Sequence, residues 1–233
     1  MAVNTRNILV GHGDLYYAPL GTALPTVASG VDSLRTPFED SNDWNHVGGT
    51  MDGVEMSYTP EYGEVMVDQL KGVAKMWNQS NEVQVTTNLA EATFFNMLLA
   101  LGLDDSYFAD GDQSVFSLGV PQDEVVERSI VVVGQGSPVN TGSESEPEWT
   151  PRERVYLARR VISVEGSTIN MSRTDPTTLA VTFRLLPFPG DNNEHKNSQY
   201  GFIVDRTLDE ADAMPSSTSG SGLPGPYSEP GSE

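Results

Sequence analysis

The residues VEMSYTPEYGEVMVDQL (54–70), with EVQVTT (82–87) a short distance downstream, decide the fold of this chain. In residues 54–59, Val54, Met56 and Tyr58 point one way while Glu55, Ser57 and Thr59 point the other. In residues 63–70, Val65 and Val67 oppose Glu64, Met66 and Asp68, and in residues 82–87, Val83, Val85 and Thr87 oppose Glu82, Gln84 and Thr86. A period of two is that of a half-buried β-strand, because successive side chains leave opposite faces of the pleat. Three neighbouring strands thus share one pattern, with β-branched apolar residues on one side and mainly acidic or polar residues on the other.

Working outward, further strands are expected at residues 13–19 (GDLYYAP), 125–133, 155–164, 178–186 and 201–204. One helix is predicted over residues 89–101. Asn88 serves as its N-cap, Glu91 completes a capping box and Gly102 supplies the stop. Phe94, Met97, Leu98 and Leu101 form an apolar stripe, and Leu89, Phe95 and Leu99 extend it around much of the circumference. Such a helix packs on a sheet, or between a sheet and a neighbouring subunit. The expected fold class is mainly β, a β-sandwich or half-barrel with one flanking α-helix. Residues 1–208 form one domain, with a long loop at 134–152 (GQGSPVNTGSESEPEWTPR), and residues 209–233 have the composition of a disordered tail.

The charge is strongly one-sided. There are 33 acidic against 13 basic residues among 233, a net charge of −20. The last 25 residues hold five acidic residues and no basic one, which leaves 28 acidic and 13 basic, or −15, on residues 1–208. Such a surface gains no counterion-release affinity for nucleic acid or an anionic membrane. The absence of cysteine excludes disulfides, thiolate metal sites and cysteine nucleophiles, and suits a reducing cytoplasm. No apolar run approaches the roughly 18–20 residues that cross a bilayer, and the N-terminal MAVNTRNILV lacks the apolar core of a signal peptide.

Residues that could carry chemistry are dispersed. His12, His46 and His195 lie far apart without a carboxylate at ligand spacing, and Gly134–Gly136 opens a proline-containing loop instead of a phosphate-binding helix. The acidic turns at Asp104–Asp105 and Asp110–Asp112 lack the distal glutamate of a calcium loop. No Gly-x-Ser-x-Gly elbow is present. No catalytic, cofactor-binding or metal-ligating residue is therefore assigned. The one basic cluster, Arg152, Arg154, Arg159 and Arg160, has two readings: strand charges balancing local acids, or ion pairs across a subunit boundary with Trp149 as the anchor of the loop.

The order of segments resembles the major tail tube family of long-tailed phages. Gly13-Asp14-Leu15-Tyr16-Tyr17-Ala18-Pro19, Gly21-Thr22 and Pro25 precede Trp44 and the turn Gly49-Thr50-Met51-Asp52-Gly53. The paired-strand block then leads into the helix, and LAVTFRLLPFPG (179–190) and the strand near residue 201 close the chain. The resemblance spans roughly residues 11–206. It implies a structural subunit and not an enzyme, located in the virion tail and assembled in the host cytoplasm. Hexameric rings, in which each copy adds strands to one continuous β-barrel, would stack into a tube. The partners would be further copies, the tape measure protein and other tail proteins, with DNA passing through unbound. On this view Glu55, Glu64, Asp68 and Glu82 share a face that lines the lumen, and Trp149, Arg152, Arg154, Arg159 and Arg160 lie between subunits. A baseplate hub, tail terminator or head decoration protein would share the acidity and the strands.

Overall fold

The computed structural model describes residues 8–25, 33–104, 125–143, 146–164, 169, 173, 176–188 and 200–207. The expected tail at 209–233, the second acidic turn at 110–112 and His195 lie outside the described residues. Among these residues, eight strands and two helices follow in the order β1 (Asp14–Pro19), α1 (Thr36–Glu39), β2 (Asn45–His46), β3 (Thr50–Met66), β4 (Val73–Leu89), α2 (Phe94–Leu101), β5 (Arg128–Asn140), β6 (Trp149–Ser163), β7 (Leu179–Leu185) and β8 (Gly201–Thr207). The strands make one antiparallel sheet in the order β2-β1-β5-β6-β7-β4-β3, with β8 also pairing β6. β8 takes residues 152–158 of β6 and β7 takes residues 161–163. The sheet curls without closing, so among the described residues β3 keeps one unpaired edge.

The curl wraps a core. Leu15 and Tyr17 of β1, Ile130 and Val132 of β5, Val83 and Val85 of β4 and Phe183 of β7 meet in one cluster, with Leu99 and Ala100 of α2 over it. A second cluster covers the other face of β1, β5 and β6. There Tyr16 stacks on Phe38 of α1 at 5.2 Å, and Phe38 meets Trp44 edge-on at 5.5 Å. β5 explains its own run Ile130-Val131-Val132-Val133 in this way: Ile130 and Val132 face the first core while Val131 and Val133 face the second. A strand buried on both faces loses the alternation that marks a half-buried one.

Four expectations change on the structure. The segments read as separate strands at 54–59 and 63–70 are one strand, because β3 runs unbroken from Thr50 to Met66 through Pro60. The missing N–H of a proline is tolerated in a strand paired along only one edge. The helix starts at Phe94 and not at 89. Asn88 and Leu89 are held in the sheet by pairing with Ala180 and Leu179, so the cap passes to Thr93, whose hydroxyl accepts the Asn96 N–H at 3.2 Å. Glu91 accepts instead from the Gly49 N–H at 2.9 Å. The stop is where it was expected: Gly102 adopts φ 66°, and the Gly102 and Leu103 N–H groups return to the Leu99 and Leu98 carbonyls at 3.2 and 2.9 Å.

The third change concerns the long loop. β5 continues to Asn140 and β6 begins at Trp149, so residues 134–140 and 149–152 lie in a paired hairpin and only 141–148 connect them. The ladder accommodates Pro138 by slipping register between Gly136 and Val139. The fourth is that the fifth strand begins at Arg128 and not at residue 125.

Candidate assembly surfaces

β3 and β4 pair along almost their whole length, from Thr50–Leu89 at the root to Met66–Val73 at the far end. β7 supports β4 only from Gln84 to Leu89. Beyond that point the hairpin is a two-stranded arm with both edges unpaired among the described residues. Its large apolar side chains are exposed: Tyr58, Tyr62, Met66 at 72%, Leu70, Met76 and Trp77 at 45%. An isolated two-stranded ribbon is marginal in water, and open edges with apolar faces are a template for another chain.

Asn81 fixes the arm where it leaves the body. Its side-chain oxygen accepts the Tyr58 hydroxyl at 2.8 Å and the Asn78 amide at 2.7 Å, and its carbonyl accepts the Tyr200 hydroxyl at 3.0 Å. At the opposite end of the hairpin, the buried Asn96 amide donates to the Val47 and Glu91 carbonyls at 2.7 and 2.8 Å, and Ala90 N–H donates to Gly49 at 2.8 Å. The hairpin is thus pinned at both ends of its supported half. Neither asparagine was singled out from the sequence. A polar residue inside a helical pattern reads as solvent-facing until its partner, 49 positions away, is known.

The register also sorts the four carboxylates. Glu55 faces Thr86 and Glu82 faces Thr59, so both lie on the face that holds Ser57, Gln84 and, in β7, Arg184. Glu82 pairs with Arg184 at 3.4 Å. Glu64 is nine residues beyond Glu55 on an unbroken strand and so lies on the opposite face. The irregularity at Glu61–Tyr62 falls on β4, where Gln79 has no partner, and flips the alternation of β4 but not of β3. Asp68 sits in the turn beyond the ladder. The expected sharing of one face therefore holds for Glu55 and Glu82, and not for Glu64 or Asp68.

Of the basic cluster, Arg154 and Arg160 are paired within the chain. Arg154 makes a forked contact with Asp205, including Nη2 to Oδ2 at 2.8 Å, and its hydrogen bond holds that carboxyl below the usual aspartate range. Arg160 engages Glu127, with Nε to Oε2 at 2.8 Å. Arg159 is buried, its guanidinium 5.9 and 5.8 Å from the ring centres of Phe188 and Phe202, and burial lowers its pKa. Trp149 and Arg152 remain half-buried at the start of β6. An ion network unread in the sequence lies nearby: Arg35 bridges Asp14 of β1 and Glu153 of β6, and Glu153 accepts from the Ser33 hydroxyl at 3.0 Å. His12 and His46 approach the same Asp14 at 3.5 and 3.8 Å, brought together by the β1–β2 pairing. Among the described residues no group of three or more His, Cys, Asp or Glu is arranged to hold a metal ion, and no helix is long and apolar enough to cross a membrane.

A family model described as "Phage tail tube protein" matches residues 1–197. A comparison with curated proteins finds no match.

Proposed function

The chain belongs to the phage tail tube protein family, and on that premise we propose that its copies form hexameric rings that stack into a hollow tube conducting DNA. Family membership makes it a structural subunit of the virion tail that assembles into a tube with other tail proteins. The observation that carries the finer reading is the β3–β4 arm. A projecting ribbon with exposed apolar side chains on both faces, rising from a sheet with an open edge, is stable only once other copies cover it. Joining open edges between copies into a closed barrel would leave no edge for uncontrolled pairing.

The face that carries Glu55, Ser57, Glu82, Gln84 and Arg184 is the one proposed to line the channel. It lies opposite the Val83–Val85 core face and, with Glu61 farther along β3, holds three carboxylates against the Arg184 guanidinium. A weakly acidic polar lining repels phosphate at short range without binding it. Glu64 and Asp68 belong to the arm on this reading. Arg152 of the basic cluster, with Trp149 at the start of the same strand, is proposed for subunit contacts, since Arg154 and Arg160 are engaged by Asp205 and Glu127 and Arg159 is buried. Residues 209–233 are proposed as a tail apart from the single domain of 1–208. The tape measure protein is the proposed partner inside the tube, and the host cytoplasm the proposed site of assembly.

Electron microscopy of the purified protein tests the assembly. Long hollow tubes are expected; closed rings or trimers that never elongate would point to a terminator, hub or decoration role instead. Converting Glu55 and Glu82 together to lysine tests the lining. Tubes should still form but should retain duplex DNA at low salt, and tubes that release DNA as before would place that face elsewhere.

A further inference from the structure

We propose that a groove at the root of the arm receives the tip of the arm from a second copy of the chain, an inference that rests on the tube reading above. The groove runs between Val54, Met56 and Tyr58 of β3 on one side and Val132, Tyr156 and Ile203 on the other, with a volume of about 620 Å³. Its walls are mainly apolar, it opens to solvent, and Asp52, Glu55 and His12 border it. Ile203 is 59% exposed and Tyr58 60%, so both offer apolar surface to a partner.

The arm tip has the complementary chemistry. Residues 66–76 expose Met66, Val67, Leu70, Val73 and Met76. They also hold Lys71 and Lys75 against Asp68, a net charge of +1 in a chain of net −20. Residues 59–81 as a whole hold three acidic and two basic residues, or −1, which leaves −19 on the remainder. The arm is therefore less acidic per residue than the remainder of the chain, and its tip is drawn to the carboxylates at the groove. Opposite charges that meet at a contact also steer its formation.

The position of knob and groove on one element excludes self-contact. From Met56 to the turn at Asp68 is twelve residues of extended chain, about 40 Å at roughly 3.3 Å per residue, and a paired ribbon does not fold back on its own root. A knob and a groove at different places on each copy make a heterologous contact, which closes a ring or propagates along an axis but does not close on a pair. With open sheet edges joining copies within a ring on the reading above, this contact is the axial one between successive rings. The axial repeat of the assembly then cannot exceed the length of the arm, about 40 Å.

The cysteine-free chain permits a direct test. Leu70→Cys and Ile203→Cys, both at exposed positions, are made as separate proteins, assembled alone and as an equal mixture, and oxidised. Cross-linked dimers are expected in the mixture and in neither protein alone. Dimers of Leu70→Cys with itself would mean tip-to-tip contact, dimers of Ile203→Cys with itself would mean groove-to-groove contact, and either would overturn the proposal. Normal tubes from the mixture without any cross-link would overturn it while leaving the tube reading intact. Wild-type protein that forms no tubes would remove both. A tube whose axial repeat in electron micrographs clearly exceeds about 40 Å would also exclude a contact made by the arm.

Discussion

Asn96 supplies a prediction whose magnitude follows from the structure. The residue is 3% exposed in α2, and its amide holds the Val47 and Glu91 carbonyls at 2.7 and 2.8 Å. Asn96→Ala removes both donors and leaves a buried carbonyl at Val47 without that partner. An unsatisfied buried polar group costs about 1–3 kcal/mol, and alanine's better helix propensity returns at most about 0.7 kcal/mol. A net loss of about 1–2 kcal/mol is expected. Asn96→Asp is the sharper variant, because a buried carboxylate would face two carbonyl oxygens. Burial and those oxygens would raise its folded pKa above the unfolded value near 3.9. The penalty is therefore small below about pH 4 and grows as pH rises toward the folded pKa. Urea unfolding of the isolated subunit at pH 4.5 and pH 7.5 measures both effects. Asn96→Ala within about 0.5 kcal/mol of wild type, the range of ordinary surface changes, or Asn96→Asp equally stable at both pH values, would refute the assigned role of this side chain.

Three further predictions concern the same framework. Asp205, held below its usual range by its hydrogen bond from Arg154, contributes stability above the unfolded pKa near 4. That contribution should be lost as pH falls through the folded value, and Asp205→Asn should flatten this part of the acid limb of an unfolding-versus-pH curve. Gly201→Ala should destabilise by more than about 2 kcal/mol, beyond the usual Gly→Ala effect, because φ is 152° and a β-carbon there would overlap the Leu157 carbonyl; thermal unfolding reads it. Asn81→Ala should speed amide exchange in residues 59–80 while β5 and β6 stay protected, since the side-chain bonds it loses, from the Tyr58 hydroxyl and the Asn78 amide, lie where the arm meets the body.

Much of the fold is legible because burial on one face writes itself into alternate residues. Val54, Met56, Val83 and Val85 are read correctly as one side of a sheet, and all four pack in or against one core. The reading fails where two local signals conflict. Asn88 and Glu91 form a sound capping box, yet pairing with β7 claims residues 88 and 89 for the sheet first. The turn-like PEYG at residues 60–63 passes straight through β3, because a hairpin arm with free edges does not exact the hydrogen bond that proline forfeits. Glycine at 63 serves another end: the Trp77 indole lies over it in the space a β-carbon would need. The basic cluster reads as a unit in sequence but divides in space, because Arg159 is buried beside Phe188 and Phe202 while Arg160 is held by Glu127. The partners Glu127 and Asp205 are too distant in sequence to be chosen over other acids.

The unpartnered Gln79 in β4 has a consequence for how such an arm can change in length. On the supported side of Gln79 the alternation is locked by the core; on the tip side it is set only by the opposite strand. Adding or removing two residues from each strand beyond that point preserves every side-chain direction and moves the tip by about 6.6 Å. A change of one residue in each strand exchanges the two faces of the outer ribbon and carries Trp77 and Val65 to the wrong side. The arm is in this sense a ruler with graduations about 6.6 Å apart, and variants that keep a working tip are expected only at those marks.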